Sequence, residues 1–343
     1  MKIVFGGYQT LGMTHGGPYV QALQTKKGLE LLGVEVKLFN QWDAFSKHSF
    51  DLFHLFAANI GTFHLARNLF EHNTPYVTSP IFFTQHSPLA IKSTLLFENL
   101  LNASRKHFWS NYGMTKDVCR WSKKVLPNTN DEAMLVTAGL GIESSKTVVI
   151  PNGVDQKFEF GNPTIFKKKY GVEHFILNVG HIGMKRKNVL NLIRAVKTID
   201  HPVVLIGKVY DSAEGLMCKQ EIQQTKNIIL IDGLENTSEM LASAYAACDV
   251  FALPSLFETP GIAALEAALA GAKIVITPHG GTKDYFDAMA TYVEPHSVES
   301  IRKGIIKSLN EEKNPLLKEH IKKEFLWSRV VEKTLSVYKS VLK

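Results

Sequence analysis

Short apolar runs alternate with longer helix-forming segments along the whole chain, and few architectures accommodate that alternation. The runs occupy residues 3–5, 34–39, 52–56, 76–78 and 147–150, then 175–179, 203–206, 228–231, 250–253 and 273–276. Strands that are apolar almost throughout belong to parallel sheets buried on both faces, with the intervening segments supplying the covering helices. Val189, Ile193 and Val196 recur at helical spacing, as do Val298, Ile301, Ile305 and Leu309. The pattern predicts an α/β protein in two halves of the same kind. A chain of 343 residues, 45% of them hydrophobic, is long enough to bury two cores. The turn Pro151-Asn152-Gly153-Val154 and the polar stretch that follows it to Pro163 punctuate the change. The first domain is therefore expected at residues 1–158 and the second at 159–325.

Within the second half, residues 257–271 read F-E-T-P-G-I-A-A-L-E-A-A-L-A-G. Pro254 and Ser255 break the preceding strand, and the alanine-rich run after Pro260 has high helix propensity with Gly271 as its stop. A helix is expected to start near Gly261. The N–H groups at such a start have no intrahelical partner and, with the helix dipole, can receive a diphosphate. Glu258 then stands just before the anion site. Glu266 stands more than a turn inside the helix, where a carboxylate can reach the two hydroxyls of a ribose. An ordinary amphipathic helix with one surface glutamate is the plainer explanation of this segment taken alone.

Charge and cysteine usage bound the setting. The chain opens with Met1-Lys2 and a short strand, not a long apolar segment, and contains no run of eighteen apolar residues, so the expected location is cytoplasmic. Cys119, Cys218 and Cys248 lack metal-ligand spacing and read as reduced core residues. The formal charge of +7 is concentrated. Between Lys92 and Lys124, the cations Lys92, Arg105, Lys106, Lys116, Arg120, Lys123 and Lys124 face only Glu98 and Asp117, with Phe108, Trp109, Tyr112 and Trp121 interleaved. Such a mixture suits a segment lying against anionic lipid headgroups. Nucleic acid would also tolerate it, and so would a solvated pair of basic helices whose aromatics face the core. The basic stretch after Arg302 is diluted by Glu311, Glu312, Glu319, Glu324 and Glu332 and reads as ordinary helix surface.

An ordered series of motifs gives the chain a family resemblance. It comprises Gly16-Gly17 after the first strand, residues 51–54, residues 149–155 at the domain junction, residues 177–180 followed by a basic loop, residues 245–250, Leu253-Pro254-Ser255, the pair Glu258 and Glu266, and Gly280-Gly281. In these features the chain resembles the retaining glycosyltransferases of family four. The resemblance implies an α/β GT-B fold, two Rossmann-like domains facing a central cleft, with a last helix at about 326–343 returning to the first domain. It also implies a nucleotide diphosphate sugar as donor. Glu266 would bind the donor ribose, Glu258 the transferred sugar, the amides of Gly261 and Ile262 the donor phosphate or sugar, and those of Gly16 and Gly17 the diphosphate.

The family pairs an arginine with a lysine six residues later to neutralise the diphosphate; the corresponding residues are His181 and Lys187. The histidine is a departure, and Arg186 or Lys185 would supply the missing charge. The first half departs further. Phe56 replaces a family histidine, and the histidine usual after the strand ending at Thr78 has only His86 as a stand-in on the acceptor side. The sequence holds no Asp-x-Asp pair, so no cofactor and no metal are expected. The implied activity is retaining transfer, expected to be of a hexosyl group, to a lipid-linked or polysaccharide-precursor acceptor, as in lipopolysaccharide and other cell-surface glycan synthesis. Contact with an anionic membrane through residues 92–124 is expected, and nucleic acid is not. A sugar-nucleotide 2-epimerase, a phosphorylase and a non-catalytic nucleotide-sugar binding protein are the alternatives of the same architecture.

Overall fold

The structure, a computed structural model, describes residues 1–14, 16–103 and 108–343. Arg105 and Lys106 of the basic segment lie outside the described residues. The chain divides into two compact units, Met1–Asn152 with Trp327–Lys343, and Gly153–Leu326. The second unit thus begins at Gly153 rather than at 159, because Val154 and Phe158 are buried in its core.

The first unit is built on five parallel strands, β1 (Lys2–Gly7), β2 (Glu35–Leu38), β3 (Leu52–Phe56), β4 (Tyr76–Ser79) and β5 (Lys124–Val125), in the order β2-β1-β3-β4-β5. Residues 147–150 were expected to form the fifth strand. Lys124–Val125 takes that place, and the 147–150 segment runs alongside it with a single bridge from Thr147 to Val125. The pleat sends alternate side chains to opposite faces. Leu52 and Phe56 of β3 join a core beneath helices Gly17–Leu31 and Trp327–Leu342, while Phe53 and Leu55 join another beneath helices Ile60–Glu71, Pro88–Ala103 and Asn111–Trp121.

The C-terminal helix is held to this sheet by a buried polar link. His54 on β3 bonds through Nδ1 to the Tyr338 hydroxyl at 2.5 Å and through Nε2 to Ser79 Oγ at 3.0 Å. Burial lowers the His54 pKa to about 3, so the ring is neutral and structural.

Two features of the basic segment differ from a helix pair with inward aromatics. Phe108 and Trp109 are exposed, whereas Tyr112 and Trp121 are partly buried. Helix Pro88–Ala103 buries Ile91, Leu95 and Glu98 on one side and exposes Leu89, Leu96, Phe97 and Leu100 on the other. Those four lie within about 100° of one another at 3.6 residues per turn.

The second unit carries six parallel strands, β6 (Ile176–Val179), β7 (Val203–Ile206), β8 (Ile228–Ile231), β9 (Val250–Leu253), β10 (Lys273–Ile276) and β11 (Thr291–Tyr292), in the order β11-β10-β9-β6-β7-β8. Five match the expected runs; β11 is too short and too polar to register as a pattern. Chain order reverses between β6 and β9 here, and between β1 and β3 in the first unit. Such reversals open a crevice beyond the carboxyl ends of the strands, where ligands of open α/β sheets bind.

Candidate active site

Three loops converge at the carboxyl ends of β6, β9 and β10. The β6 loop makes a tight 3-10 turn, Lys185–Lys187, closed by Asn188 in the left-handed region at φ 55°. Asparagine tolerates that conformation better than other residues with a Cβ. The buried Asn188 side chain donates to Pro254 O at 2.8 Å and Pro295 O at 2.7 Å, and Leu256 N donates to Arg186 O at 2.8 Å. These bonds lace the β6 loop to the β9 loop. Glu258 N donates to His279 O at 3.0 Å, which ties in the β10 loop. Gly280, at φ 93°, is required on two counts, since a Cβ there would also stand 2.5 Å from Glu258 O.

The lacing brings Glu258, Lys187 and Arg186 together. Lys187 Nζ donates to Glu258 Oε1 at 2.6 Å, Ser255 Oγ donates to the same oxygen at 2.7 Å, and Arg186 Nη1 lies 3.2 Å from it. Arg186 also donates to Phe257 O at 3.1 Å. The Glu258 side chain is only 6% exposed. Burial pushes its carboxyl pKa up, but Lys187 and Arg186, with the Lys187 and Ser255 hydrogen bonds, outweigh burial and hold it below the usual carboxylate range. It is an ionised carboxylate paired with two cations.

His181 occupies the same loop with its ring edge-on to Tyr210 at 5.1 Å. Its pKa is lowered by partial burial and then by the nearby Lys187 and Arg186. The neutral imidazole therefore does not replace the charge of an arginine; Lys187 and Arg186 supply the positive field of this loop.

Helix Ile262–Leu269 begins where the sequence placed it. Gly261 precedes it in the left-handed region at φ 72°, and no side chain caps the helix start. A Cβ on Gly261 would stand 3.6 Å from Glu258 Cβ, so the uncapped amides of the Gly261–Ile262 turn adjoin the Lys187–Glu258 pair. Deeper in the helix, Glu266 is 5% exposed and accepts from Asn236 Nδ2 at 2.7 Å and the Tyr245 hydroxyl at 2.8 Å. Burial raises its pKa to about 7 despite those two bonds and the charge of Lys157. One hydrogen bond on each oxygen leaves each a lone pair for a further donor.

Sequence reasoning missed Asn188, Asn236, Tyr245 and Ser255 as parts of this site. Tyr245 and Ser255 lie within motifs already noted, but nothing local marks their contact with the glutamates. Asn236, thirty residues from Glu266, has no sequence signal at all.

In the first unit, Gly16 precedes and Gly17 begins helix Gly17–Leu31, whose start has no side-chain cap. His86 is exposed and bonds through Nδ1 to the Tyr112 hydroxyl at 2.6 Å. Among the described residues, no three His, Cys, Asp or Glu side chains gather as a metal-binding set, and no helix is long and apolar enough to cross a membrane.

The chain is similar to known proteins in sequence and in fold. Residues 164–324 match the family model described as glycosyl transferases group 1. A glycosyltransferase of Methanocaldococcus jannaschii, itself uncharacterized, is 29% identical over 215 residues, which cover 57% of this chain and 54% of that protein. A D-inositol 3-phosphate glycosyltransferase of Geodermatophilus obscurus is 29% identical over 177 residues, 47% of this chain and 39% of that protein. The chain thus spans about half, or less, of the length of these relatives. Among solved structures, a sucrose-phosphate synthase from Thermosynechococcus elongatus aligns over 99% of both chains with a TM-score of 0.77 and 16% identity. The Anabaena protein HepE in complex with UDP aligns over 99% of this chain and 100% of its own, with a TM-score of 0.74 and 16% identity. Over residues 164–324 the chain is thus similar to the group 1 glycosyltransferases, and as a whole it has the GT-B fold of two Rossmann-like domains.

Proposed function

We propose that the chain is a retaining, metal-independent glycosyltransferase that moves a hexosyl group from a nucleotide diphosphate sugar to a lipid-linked or polysaccharide-precursor acceptor in cell-surface glycan synthesis. The observation that carries this reading is the convergence of Lys187, Arg186 and Glu258 beside the uncapped start of helix Ile262–Leu269, within the segment that matches the family. Departure of a diphosphate builds negative charge while the sugar becomes oxocarbenium-like. Cations and helix-start amides fixed in advance lower that barrier. Glu258 would accept from hydroxyls of the transferred sugar, and Glu266 from the ribose. The complexes of HepE with UDP and with UDP-glucose make a uridine donor the first to try. The diphosphate is neutralised by side chains in this reading, so no divalent ion is needed.

The exposed apolar face of helix Pro88–Ala103, with Lys92 on its flank and Phe108 and Trp109 beyond it, supports work at an anionic membrane surface on the cytoplasmic side. The decisive assay offers uridine, guanosine and adenosine diphosphate sugars in chelator, with and without a membrane lipid extract, and follows nucleoside diphosphate release and product anomer. Release from one donor that rises with extract and disappears in Lys187→Ala is expected. Turnover only after a divalent ion is restored, an inverted product, or conversion of donor with no acceptor present would each overturn the corresponding part of the proposal.

A further inference from the structure

The second unit opens with a short 3-10 helix, Gln156–Phe160, that lies against helices Glu239–Ala247 and Ile262–Leu269. On the donor reading of Glu266 given above, we infer that Lys157 of this segment and Asn236 of the loop after β8 are positioning residues for a ribose. Lys157 holds Asn236, and Asn236 holds Glu266 so that its carboxylate meets two vicinal hydroxyls together.

A carboxylate held by one oxygen alone can still turn about its last rotatable bond, which has a broad range of settings. Glu266 is held by both oxygens. Asn236 Nδ2 donates to Oε1 at 2.7 Å and the Tyr245 hydroxyl donates to Oε2 at 2.8 Å, so the carboxylate plane is fixed while each oxygen keeps a lone pair. Two bonds to a ribose form only when both oxygens face it at once, which makes that fixed plane the condition for binding. Asn236 stands in a connecting loop, residues 232–238, and needs an anchor of its own. Lys157 provides it. Its Nζ donates to Asn236 O at 2.6 Å and lies 3.5 Å from Asn236 Oδ1, which turns the amide oxygen to the lysine and the amide NH2 to Glu266.

The residue beside Lys157 backs the other partner, since buried Phe158 meets Tyr245 edge-on at 5.5 Å. The segment itself is fixed at both ends. Asp155 Oδ1 accepts from Lys157 N at 3.0 Å, and Glu159 pairs with Lys322 of helix Pro315–Phe325 at 2.7 Å. Lys157 also acts through its charge. Burial is the largest influence on Glu266 and disfavours its ionised form; the bonds from Tyr245 and Asn236 and the charge of Lys157 favour that form, and Asp155 opposes it. Tyr245 stays neutral, its own pKa raised well above the ordinary value by burial. The lysine therefore both orients the amide and favours the carboxylate that accepts from hydroxyls.

The test uses the full chain and calorimetry with UDP, GDP and ADP and the 2′-deoxy form of each, read on whichever base binds most tightly. The parent is expected to favour ribose over 2′-deoxyribose by about tenfold or more, the scale of one hydrogen bond to a charged group. Asn236→Ala and Lys157→Met should each cut that preference to about threefold or less. A role in folding alone would weaken both forms alike and leave their ratio untouched. Lys157→Arg, which keeps a cation and a donor, should restore most of the preference. Affinity for the ribose form should rise with pH as Glu266 ionises, and Lys157→Met should move the midpoint of that rise to higher pH, because losing a cation disfavours the carboxylate. If Asn236→Ala does not fold, the two Lys157 variants decide alone. Either folded variant keeping the parent's preference overturns the inference and leaves the donor reading standing. A parent that binds no nucleoside diphosphate, or binds both sugar forms equally, overturns the ribose reading of Glu266, and the positioning roles fall with it.

Discussion

Glu266 and Lys187 carry the clearest expectations at the scale of single residues. With a folded pKa of about 7 against an ordinary 4.5, Glu266 holds its proton more tightly in the folded chain than in the unfolded one. Its contribution to stability is then complete below pH 4.5 and is lost as pH rises through 7, by about 3 kcal/mol at most. Urea midpoints between pH 4.5 and 7.5 should fall more steeply in the parent than in Glu266→Gln; Glu132, also raised to about 7 by burial, leaves a residual slope in both. Ribose hydroxyls need the ionised carboxylate as acceptor, so UDP affinity should rise from pH 6 to 8 in the parent relative to Glu266→Gln. Glu266→Ala should weaken UDP binding about ten- to a hundredfold. For Lys187→Ala, kcat is expected to drop about a hundred- to a thousandfold, the scale of removing one preorganised charge-stabilising group. Removing that cation also leaves Glu258 buried with a weaker partner. The melting temperature should fall, and a second change, Glu258→Gln, should restore part of the loss in a double-mutant cycle.

Elements differ in how plainly they were written in the chain. The strands of the second unit were legible because a strand buried on both faces must be apolar at nearly every position, as Val203–Ile206 and Val250–Leu253 are. Lys124–Val125 was not, because a two-residue edge strand has no period to read; the apolar run at 147–150 lay beside it and looked like the better candidate. The start of helix Ile262–Leu269 was legible from its breaker and its alanines. Gly261→Ala should cost about 1–2 kcal/mol for forcing a Cβ into the left-handed region, seen as a lower melting temperature, because neighbours 3.4 Å away leave room for the methyl itself. Helix Pro88–Ala103 is apolar on two sides, and only burial tells which side is covered. Leu96→Lys with Leu100→Lys should leave thermal stability nearly unchanged and abolish sedimentation with anionic vesicles; unaltered sedimentation would remove this helix from the membrane reading.

For the molecule as a whole, the chain leaves the first unit at Asn152, builds the second, and returns at Trp327. The final helix is therefore a structural part of the first unit and not a tail. Trp327, Val330, Val331 and Val337 lie in the core beneath β1 and β3, and Tyr338 bonds the buried His54. Deleting residues 327–343 should expose that core and collapse hydrogen-exchange protection in β1–β4 while leaving β6–β10 protected. Equal loss in both units would mean that the two are one cooperative body.

The sequence alone determined what depends on local periodicity and on backbone chemistry. Two parallel α/β units, a junction between Pro151 and Pro163 and the helix start at Gly261 follow from hydrophobic spacing and from where proline and glycine must interrupt it, whereas the glutamate pair stood out only through the family resemblance. Tertiary structure alone decided which charges meet. Glu258 is ionised because Lys187, seventy-one residues away, is brought to 2.6 Å; the Glu266 pKa is raised to about 7 because burial outweighs the hydrogen bonds from Tyr245 and Asn236; and His181 is uncharged because partial burial, and then Lys187 and Arg186, disfavour its protonated form. A residue's charge depends on desolvation and on neighbours distant along the chain, and neither quantity exists until the fold is complete.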